Sequence, residues 1–373
     1  MKKSNGHQII ELFEKWSPKR LAFEGDPVGL HIGQLNRPVD KVLVTLDVNE
    51  QVIDEAIENG ATLVIAHHPP LFRPVKSILT DTPQGKMIEK CIKHNIAVYA
   101  AHTNLDIAAG GVNDMLAERL GIQQTEPIDI TDSEYLMKLA VFCPLENADV
   151  LRQKLASAGA GAIGDYQACS FSSQGTGRFT PVVGANPTIG EVGEPTQVDE
   201  ERIEVVFAES QQATVIKAMF AAHPYEEPAF DLVKMQQKTN EQGIGRIGQL
   251  AEGLTLKEFA QHVKDVFGVP ALRFVGDPQT KIHKVAVLGG DGNKYIAAAK
   301  RKGADVLVTG DMYYHVAQDA QALDLAIVDP GHNIEKIMIA GVANKMTDLC
   351  QKNKLAVEFI ESNVITEPFQ FLS

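Results

Sequence analysis

KVLVTLDVNEQVIDEAIENGATLVIAHH, Lys41–His68, opens on an apolar run, passes through NEQVIDEAIENG with apolar side chains at helical spacing, and closes on a second apolar run that ends in two histidines. Continuous Val/Leu/Ile runs flanking an amphipathic helix predict two buried parallel strands joined by a crossover. After a proline-rich turn come a helix around Lys86–Lys93, the strand IAVYAAH from Ile96, and a helix from Gly111 to Leu120. From Asp40 to Gly121, then, strands alternate with helices, which predicts an α/β fold with a helix-covered parallel sheet. Active groups in such sheets sit at the carboxyl ends of the strands.

The same grammar returns near the end of the chain. KVAVLGGDGNKYIAAAKRKGADVLVTGD, Lys284–Asp311, aligns without gaps to Lys41–His68, with seven identical positions that include the pairs Gly60-Ala61 and Gly303-Ala304. The next strands also match, IAVYAAHTNLD (Ile96–Asp106) against LAIVDPGHNIE (Leu325–Glu335), placing Asp106 opposite Glu335 and Asn104 opposite Asn333. We read this as an internal duplication that makes two related α/β lobes, 1–125 and 243–373.

Between them, 126–242 has a different grammar. Strand YLMKLAVFC, helix ENADVLRQKLASAG, strand DYQACSFSS, strand RIEVVFAE, helix QQATVIKAMFAA and strand PAFDLVKM follow in the order βαββαβ, which is ferredoxin-like. The stretch SSQGTGRFTPVVGANPTIGEVGEP before RIEVVFAE is rich in Gly and Pro and predicts an exposed or partner-bound loop.

Composition agrees with several domains in one chain. Its 373 residues exceed one ordinary domain. No run approaches the roughly 20 apolar residues of a membrane span, and MKKSNGHQIIELFEKW reads as a charged amphipathic helix rather than a signal peptide, so a cytoplasmic protein without a membrane partner is expected. Cys91, Cys143, Cys169 and Cys350 form no CxxC pair and read as reduced thiols. The net charge of −13 argues against nucleic acid as a partner. That charge is uneven, because Glu126–Asn240 carries 17 acidic and 8 basic residues and leaves the two lobes nearly balanced, with no barrier to a small anionic substrate.

The chemistry-bearing residues gather at predicted strand ends. His67-His68-Pro69-Pro70 follows the strand TLVIA, His102-Thr103-Asn104-Leu105-Asp106 follows IAVYAA, and His332-Asn333-Ile334-Glu335 follows the matching strand of the second copy. Neutral imidazole is the commonest metal ligand. If a helical turn begins at His332, the three-residue step puts His332 and Glu335 on one face. Three histidines and two carboxylates, some bridging, suit a pair of divalent ions about 3.5–4 Å apart.

These residues resemble the NIF-three-like proteins, also called GTP cyclohydrolase I type 2 homologs. The resemblance rests on Asp26-Pro27-Val28-Gly29-Leu30, Leu63-Val64-Ile65-Ala66-His67-His68-Pro69-Pro70, Thr103-Asn104-Leu105-Asp106, Leu288-Gly289-Gly290-Asp291-Gly292, Thr309-Gly310-Asp311 and Gly331-His332-Asn333-Ile334-Glu335. The middle, with Ala222-His223-Pro224-Tyr225-Glu226-Glu227-Pro228, is similar to the PII/CutA-like insert of longer bacterial members. The resemblance implies a two-metal site with His67, His68, Asp106, His332 and Glu335 as ligands, and toroidal homo-hexamers whose metal sites face an internal cavity. Some relatives carry two histidines where this chain has His332-Asn333, and the resemblance leaves His332 as the ligand.

His102 and His315 are candidate catalytic residues, as donors behind the metals or as general acids, with a solvated loop as the plain alternative. Gly243-Ile-Gly-Arg-Ile-Gly248 matches GxGxxG, but polar Gln236–Gln242 precedes it and cannot be the required buried strand, so no dinucleotide site is expected. Gly289-Gly290-Asp291-Gly292 follows a strand and reads either as an anion-holding turn or as a simple tight turn. His223 reads as a small-ligand or subunit contact, or as an ordinary loop residue. No GxSxG elbow or Walker loop is present, so catalysis is expected to be metal-borne. The expected function is a metal-dependent hydrolase with two divalent ions (zinc, iron or manganese), a small-molecule substrate that the resemblance makes GTP, and the chain itself as homo-oligomeric partner. The alternative is a non-catalytic hexameric metal-binding scaffold or a regulator sensing a ligand through the insert.

Overall fold

The computed structural model describes residues 2–372. The apolar runs form the expected strands: Lys41–Thr45, Leu63–Ala66 and Ala97–Ala100 lie parallel, with Val42 opposite Leu63 and Leu63 opposite Ala97. Helices Glu50–Asn59 and Pro83–Lys93 connect them. Asn49 starts the first by accepting the Val52 amide, and Gly60, at φ 71°, ends it in a conformation that a side chain disfavours. Gly29–Ile32 closes one edge of this sheet in antiparallel pairing.

The second copy builds the same core. Lys281–Asp291, Val306–Gly310 and Ala326–Asp329 are parallel neighbours in the same order, and Gly303, the counterpart of Gly60, is again left-handed at φ 81°. Val42, Val44, Leu63, Ile65 and Tyr99 of the first sheet share one hydrophobic core with Val285, Val287, Val306, Val308 and Val328 of the second. Helices Gly6–Trp16, Val112–Arg119, Leu256–Phe267 and Ile337–Lys352 contribute to that core. The intervening positions, such as Leu43 and Val64 or Ala286 and Leu307, point to separate outer cores. Strands buried on both faces explain why the runs are apolar without alternation. Each fully buried aliphatic side chain contributes about 1.5–3 kcal/mol on leaving water.

The two copies are not separate bodies. Glu358–Glu361, from the end of the chain, pairs in parallel with Lys41–Thr45 of the first sheet. In return Gln123–Glu126 pairs with Arg246–Thr255 of the second. Because of this strand exchange and the common core, residues up to Thr131 and from Gln242 onward form one compact unit, where the sequence suggests divisions after 125 and 242. The GxGxxG segment belongs to strands here: Gly248 lies within Arg246–Thr255, where a Cβ would stand 2.3 Å from the Gln123 carbonyl oxygen, and no helix follows it directly.

The second unit, Asp132–Glu241, starts six residues later than the sequence suggests, since Gln123–Glu126 is committed to the other unit's sheet. Its elements are strand Asp129–Pro144, helix Leu145–Ser157, strands Phe171–Phe179 and Thr196–Ala208, helix Gln212–Ala222 and strand Phe230–Ile244. Numbered one to four, the strands lie in the order 4-1-3-2, with strands one and two both antiparallel to three. The expected strand Asp165–Ser173 is displaced. Pairing with Thr196–Ala208 carries strand two through Gly175 and Gly177 to Phe179, so the first third of the predicted loop is sheet. Both helices pack on one face of this sheet around Leu139, Leu151, Phe207 and Val215.

Among the described residues no helix is long and apolar enough to cross a membrane. All four cysteines are free, and Cys91, Cys143 and Cys350 are buried.

One buried charge ties the second sheet to helices of the first copy. The Arg246 guanidinium, 5 % exposed, pairs with Asp114 and donates to the carbonyls of Gly243, Gly245 and Ile107. Losing the guanidinium leaves the buried Gly243, Gly245 and Ile107 carbonyls without their donor, so Arg246→Ala is expected to cost about 1–3 kcal/mol. Equilibrium urea unfolding checks this, and a midpoint unchanged from the parent would count against that role for Arg246.

Candidate metal centre

Every informative strand end of the two parallel cores delivers a polar side chain to one place. In the first sheet these are Asp47 after Lys41–Thr45, His67 and His68 after Leu63–Ala66, and His102 and Asp106 after Ala97–Ala100. The second sheet supplies Asp311 after Val306–Gly310 and His332 and Glu335 after Ala326–Asp329. Carboxyl ends of parallel strands are where such sheets carry ligands.

Glu335 is the hub. Its Oε2 lies 3.1 Å from His68 Nε2, 3.1 Å from His332 Nε2 and 3.8 Å from His67 Nε2. His67 Nε2 is also 3.5 Å from Asp106 Oδ1, and the Nε2 atoms of His68 and His332 stand 3.3 Å apart. Two three-residue ligand groups result, His67/Asp106/Glu335 and His68/His332/Glu335, and His102 forms a third with His67 and His68. His332–Lys336 is a 3₁₀ turn leading into helix Ile337–Lys352. With three residues per turn it aligns His332 over Glu335.

The opposite side of each ring is anchored. His67 Nδ1 lies 2.8 Å from the Ala101 carbonyl, His68 Nδ1 2.6 Å from Asp47, His102 Nδ1 2.9 Å from Asp26, and His332 Nδ1 2.7 Å from Asp311. Carbonyls and carboxylates only accept, so each Nδ1 carries a hydrogen and each Nε2 is the nitrogen turned toward the centre. This is the outer support that metal-ligating histidines receive. Asp26 is itself fixed by the Thr103 amide at 3.1 Å and by the Thr103 hydroxyl. Thr366 donates to Asp47 at 2.5 Å. Asp311 reaches His332 from a left-handed backbone, φ 52°, a conformation that Asp tolerates better than most residues.

Glycines make room for the hub. A Cβ on Gly289 would stand 2.8 Å, and one on Gly290 3.0 Å, from Glu335 Oε1. The Gly289 amide donates to Asn113, whose side chain in turn donates to the Asp106 carbonyl. The Gly-Gly segment is therefore the wall behind the Glu335 carboxylate.

The electrostatics call for a cation. Burial alone raises a carboxyl's pKa, yet His332, His67 and His68 hold Glu335 well below its usual range. Asp106, less well compensated, is pushed up by burial to about 6. Burial opposes charge on His68, but Asp47 and Glu335 lift it to about 10; the hydrogen bond that His332 donates to Glu335 likewise lifts His332 to about 9. His67 is raised too, with burial overcome by Asp106 and Glu335. Two atoms stay unsatisfied: His67 Nε2 and Asp106 Oδ1 are buried without a hydrogen-bond partner. An unmet buried polar atom costs about 1–3 kcal/mol. A divalent ion among these donors satisfies both, and the set of imidazoles and carboxylates without thiolate fits zinc, iron(II) or manganese.

His67, His68, Asp106, His332 and Glu335 are thus brought together, with His102 beside them at 5.3 Å from His67 between ring centroids. His315 stands apart from these groups: it is exposed near the start of helix Tyr314–Ala322 and bonded to Gln318. His223 is enclosed in the second unit, with Nε2 donating to the Phe142 carbonyl and Nδ1 accepting the Tyr225 amide. The reading from sequence assigned no role to Asp26, Asp47, Asp311, Asn113 or Arg246. Asp47 carried a usable signal, being the acid at the end of the first parallel strand.

Comparison with known proteins places this geometry. The sequence profile of Duf34/NIF3 (NGG1p interacting factor 3) matches residues 4–368. A Bacillus subtilis relative named GTP cyclohydrolase 1 type 2 homolog is 56 % identical over 371 residues, with all of both chains covered. The crystal structure of a Bacillus cereus protein related to NIF3 superposes with TM-score 0.94 at 53 % identity, and that of a Staphylococcus aureus protein with 0.81 at 31 %, each over the full length of both chains.

Metal loading is expected to displace the protons that His68 and His332 hold near neutrality. Zinc affinity should therefore rise with pH, about tenfold per unit for each proton displaced, and level off above the raised pKa values. Competition titrations at several pH values between 6 and 9 test this, and a pH-independent affinity would contradict the assigned proton positions.

Proposed function

Because the chain belongs to the Duf34/NIF3 family, we propose that it is a metal-dependent hydrolase with a dinuclear site, one ion held by His67, Asp106 and Glu335 and the other by His68, His332 and Glu335. The observation that carries this reading is the pair of ligand groups sharing the buried Glu335 carboxylate, with His67 Nε2 and Asp106 Oδ1 lacking any other partner. Divalent ions bound there would lower the pKa of coordinated water and polarise a substrate oxygen.

The chain's own groups do the rest. Asp47 and Asp311 keep the Nδ1 atoms of His68 and His332 protonated, so both present Nε2 inward. His102, oriented by Asp26 and beside His67 and His68, is placed to move a proton to or from the reacting group. Phe72, exposed and 6.5 Å from the His102 ring between centroids, offers an aromatic surface to a planar substrate. The name carried by the Bacillus subtilis relative makes ring-opening hydrolysis of GTP the first reaction to examine. The near balance of charge outside the insert admits such an anion. The homo-hexamer implied by the sequence resemblance, and a PII/CutA-like kinship of the insert, supported by its βαββαβ order, complete the proposal.

Protein loaded with zinc, iron(II) or manganese is expected to turn over GTP, a cyclic nucleotide or a small amide, and His68→Ala to abolish that turnover together with one equivalent of metal. Full activity in His68→Ala would overturn the hydrolase reading, and tight metal binding without turnover of any of these would favour a scaffold. His102→Ala should retain its metal while kcat falls about 10²–10⁴-fold. Metal analysis beside steady-state kinetics separates the two effects, and an unchanged kcat would remove His102 from the reaction.

A further inference from the structure

A cleft of about 630 Å³ opens within the insert, inside the usual range for small-molecule sites. It lies among strand Phe171–Phe179, the loop at 181–189 and the turn at 224–227. The loop is fastened across it: the Asn186 amide donates to Glu226 at 2.8 Å, and the Thr188 hydroxyl donates to the Pro224 carbonyl at 2.8 Å. His223, with both ring nitrogens bonded to backbone, fixes the turn from behind.

Glu200 sets the chemistry of the cleft. Its side chain lines the cavity although the residue is only 8 % exposed. Two other acids on its strand have cations, Glu201 pairing with Arg152 and Glu204 with Lys138 and Arg202. Among the described residues, Glu200 enters no ion pair. Arg202 also lines the cleft, but its guanidinium is engaged by Glu204 at 2.9 Å and lies over the Phe142 ring at 5.8 Å, which leaves Phe179 and Tyr225 as the free aromatic faces. The Glu200 carboxylate sits against Gly177, where a Cβ would stand 2.2 Å from Oε2, so the glycine provides the space it occupies. Around it are Phe142, Phe179 and Tyr225, the last two edge-on at 6.1 Å between centroids. The buried Tyr225 hydroxyl faces the Glu200 carboxylate, and burial together with that charge raises the phenol's pKa. A buried carboxylate with no cationic partner, set among aromatic faces, recognises positive charge through both ion pairing and cation–π attraction.

We propose that this cleft binds a small organic cation, an amine, amidine or guanidine on an apolar frame, anchored by Glu200 and walled by Phe179 and Tyr225. The site is independent of the metal centre and stands whether or not the protein is a hydrolase.

The test is isothermal titration of the full-length protein with benzamidine and with agmatine, beside benzoate and benzyl alcohol as anionic and neutral controls. At least one cation is expected to bind and both controls to fail. Glu200→Gln should weaken binding about tenfold or more, and Gly177→Ala, which displaces the carboxylate while keeping its charge, should weaken it severalfold. Neither variant should change the metal content of the protein. If Glu200→Gln does not fold, Gly177→Ala decides. Benzoate binding as tightly as benzamidine, no binding of either cation at millimolar concentration, or unchanged affinity in the folded variants would overturn the proposal.

Discussion

The Glu335 carboxylate, buried at 2 % exposure and facing three imidazole nitrogens, is the interaction around which the larger unit is organised. Removing a carboxylate from water is costly unless charge and hydrogen bonds replace the solvent. Here the replacement comes from both sheets at once: His67 and His68 from the first, His332 from the second. The arrangement exists only when the strand ends of the two copies meet. The shared core of Val42, Tyr99, Val285 and Val328, the exchanged strands at 123–126 and 358–361, and the Arg246–Asp114 pair all hold them there.

Duplication gives the centre its form. Asp106 and Glu335 occupy equivalent positions in the two copies, and both are buried acids beside His67 Nε2. Elsewhere the copies diverge: His68 aligns with Asp311, and His102 with Gly331. One copy therefore supplies most of the imidazoles. The other supplies the hub acid, the glycines that admit it, and a supporting aspartate. At the centre, Gly290 and Gly331 adopt positive φ without steric cost, while the non-glycine Asp311 does so at φ 52°.

Much of this was legible in the sequence, because the signals were local. Apolar runs without alternation mark strands buried on both faces, and they appear at Lys41–Thr45, Leu63–Ala66 and their counterparts. Histidines and acids directly after those runs fall at strand ends by the geometry of the α/β unit. What was hidden depends on distant contacts. That Glu358–Glu361 joins the first sheet, or that Asp26 orients His102 from 76 residues away, leaves no periodic trace. Strand Phe171–Phe179 was obscured by its own glycines, which composition assigns to loop. Gly177 is needed there because the Glu200 carboxylate fills the volume of a side chain. The three-residue step to Glu335 already set His332 apart in the sequence, whereas only the fold shows His315 exposed on a helix away from the centre.

The central claim is that two divalent ions share Glu335, and crystals of the protein soaked in zinc and measured across the zinc absorption edge address it directly. Two anomalous peaks are predicted in each chain, one contacting His67, Asp106 and Glu335 and the other contacting His68, His332 and Glu335. A single peak, or none, in crystals that retain all five side chains would contradict the account.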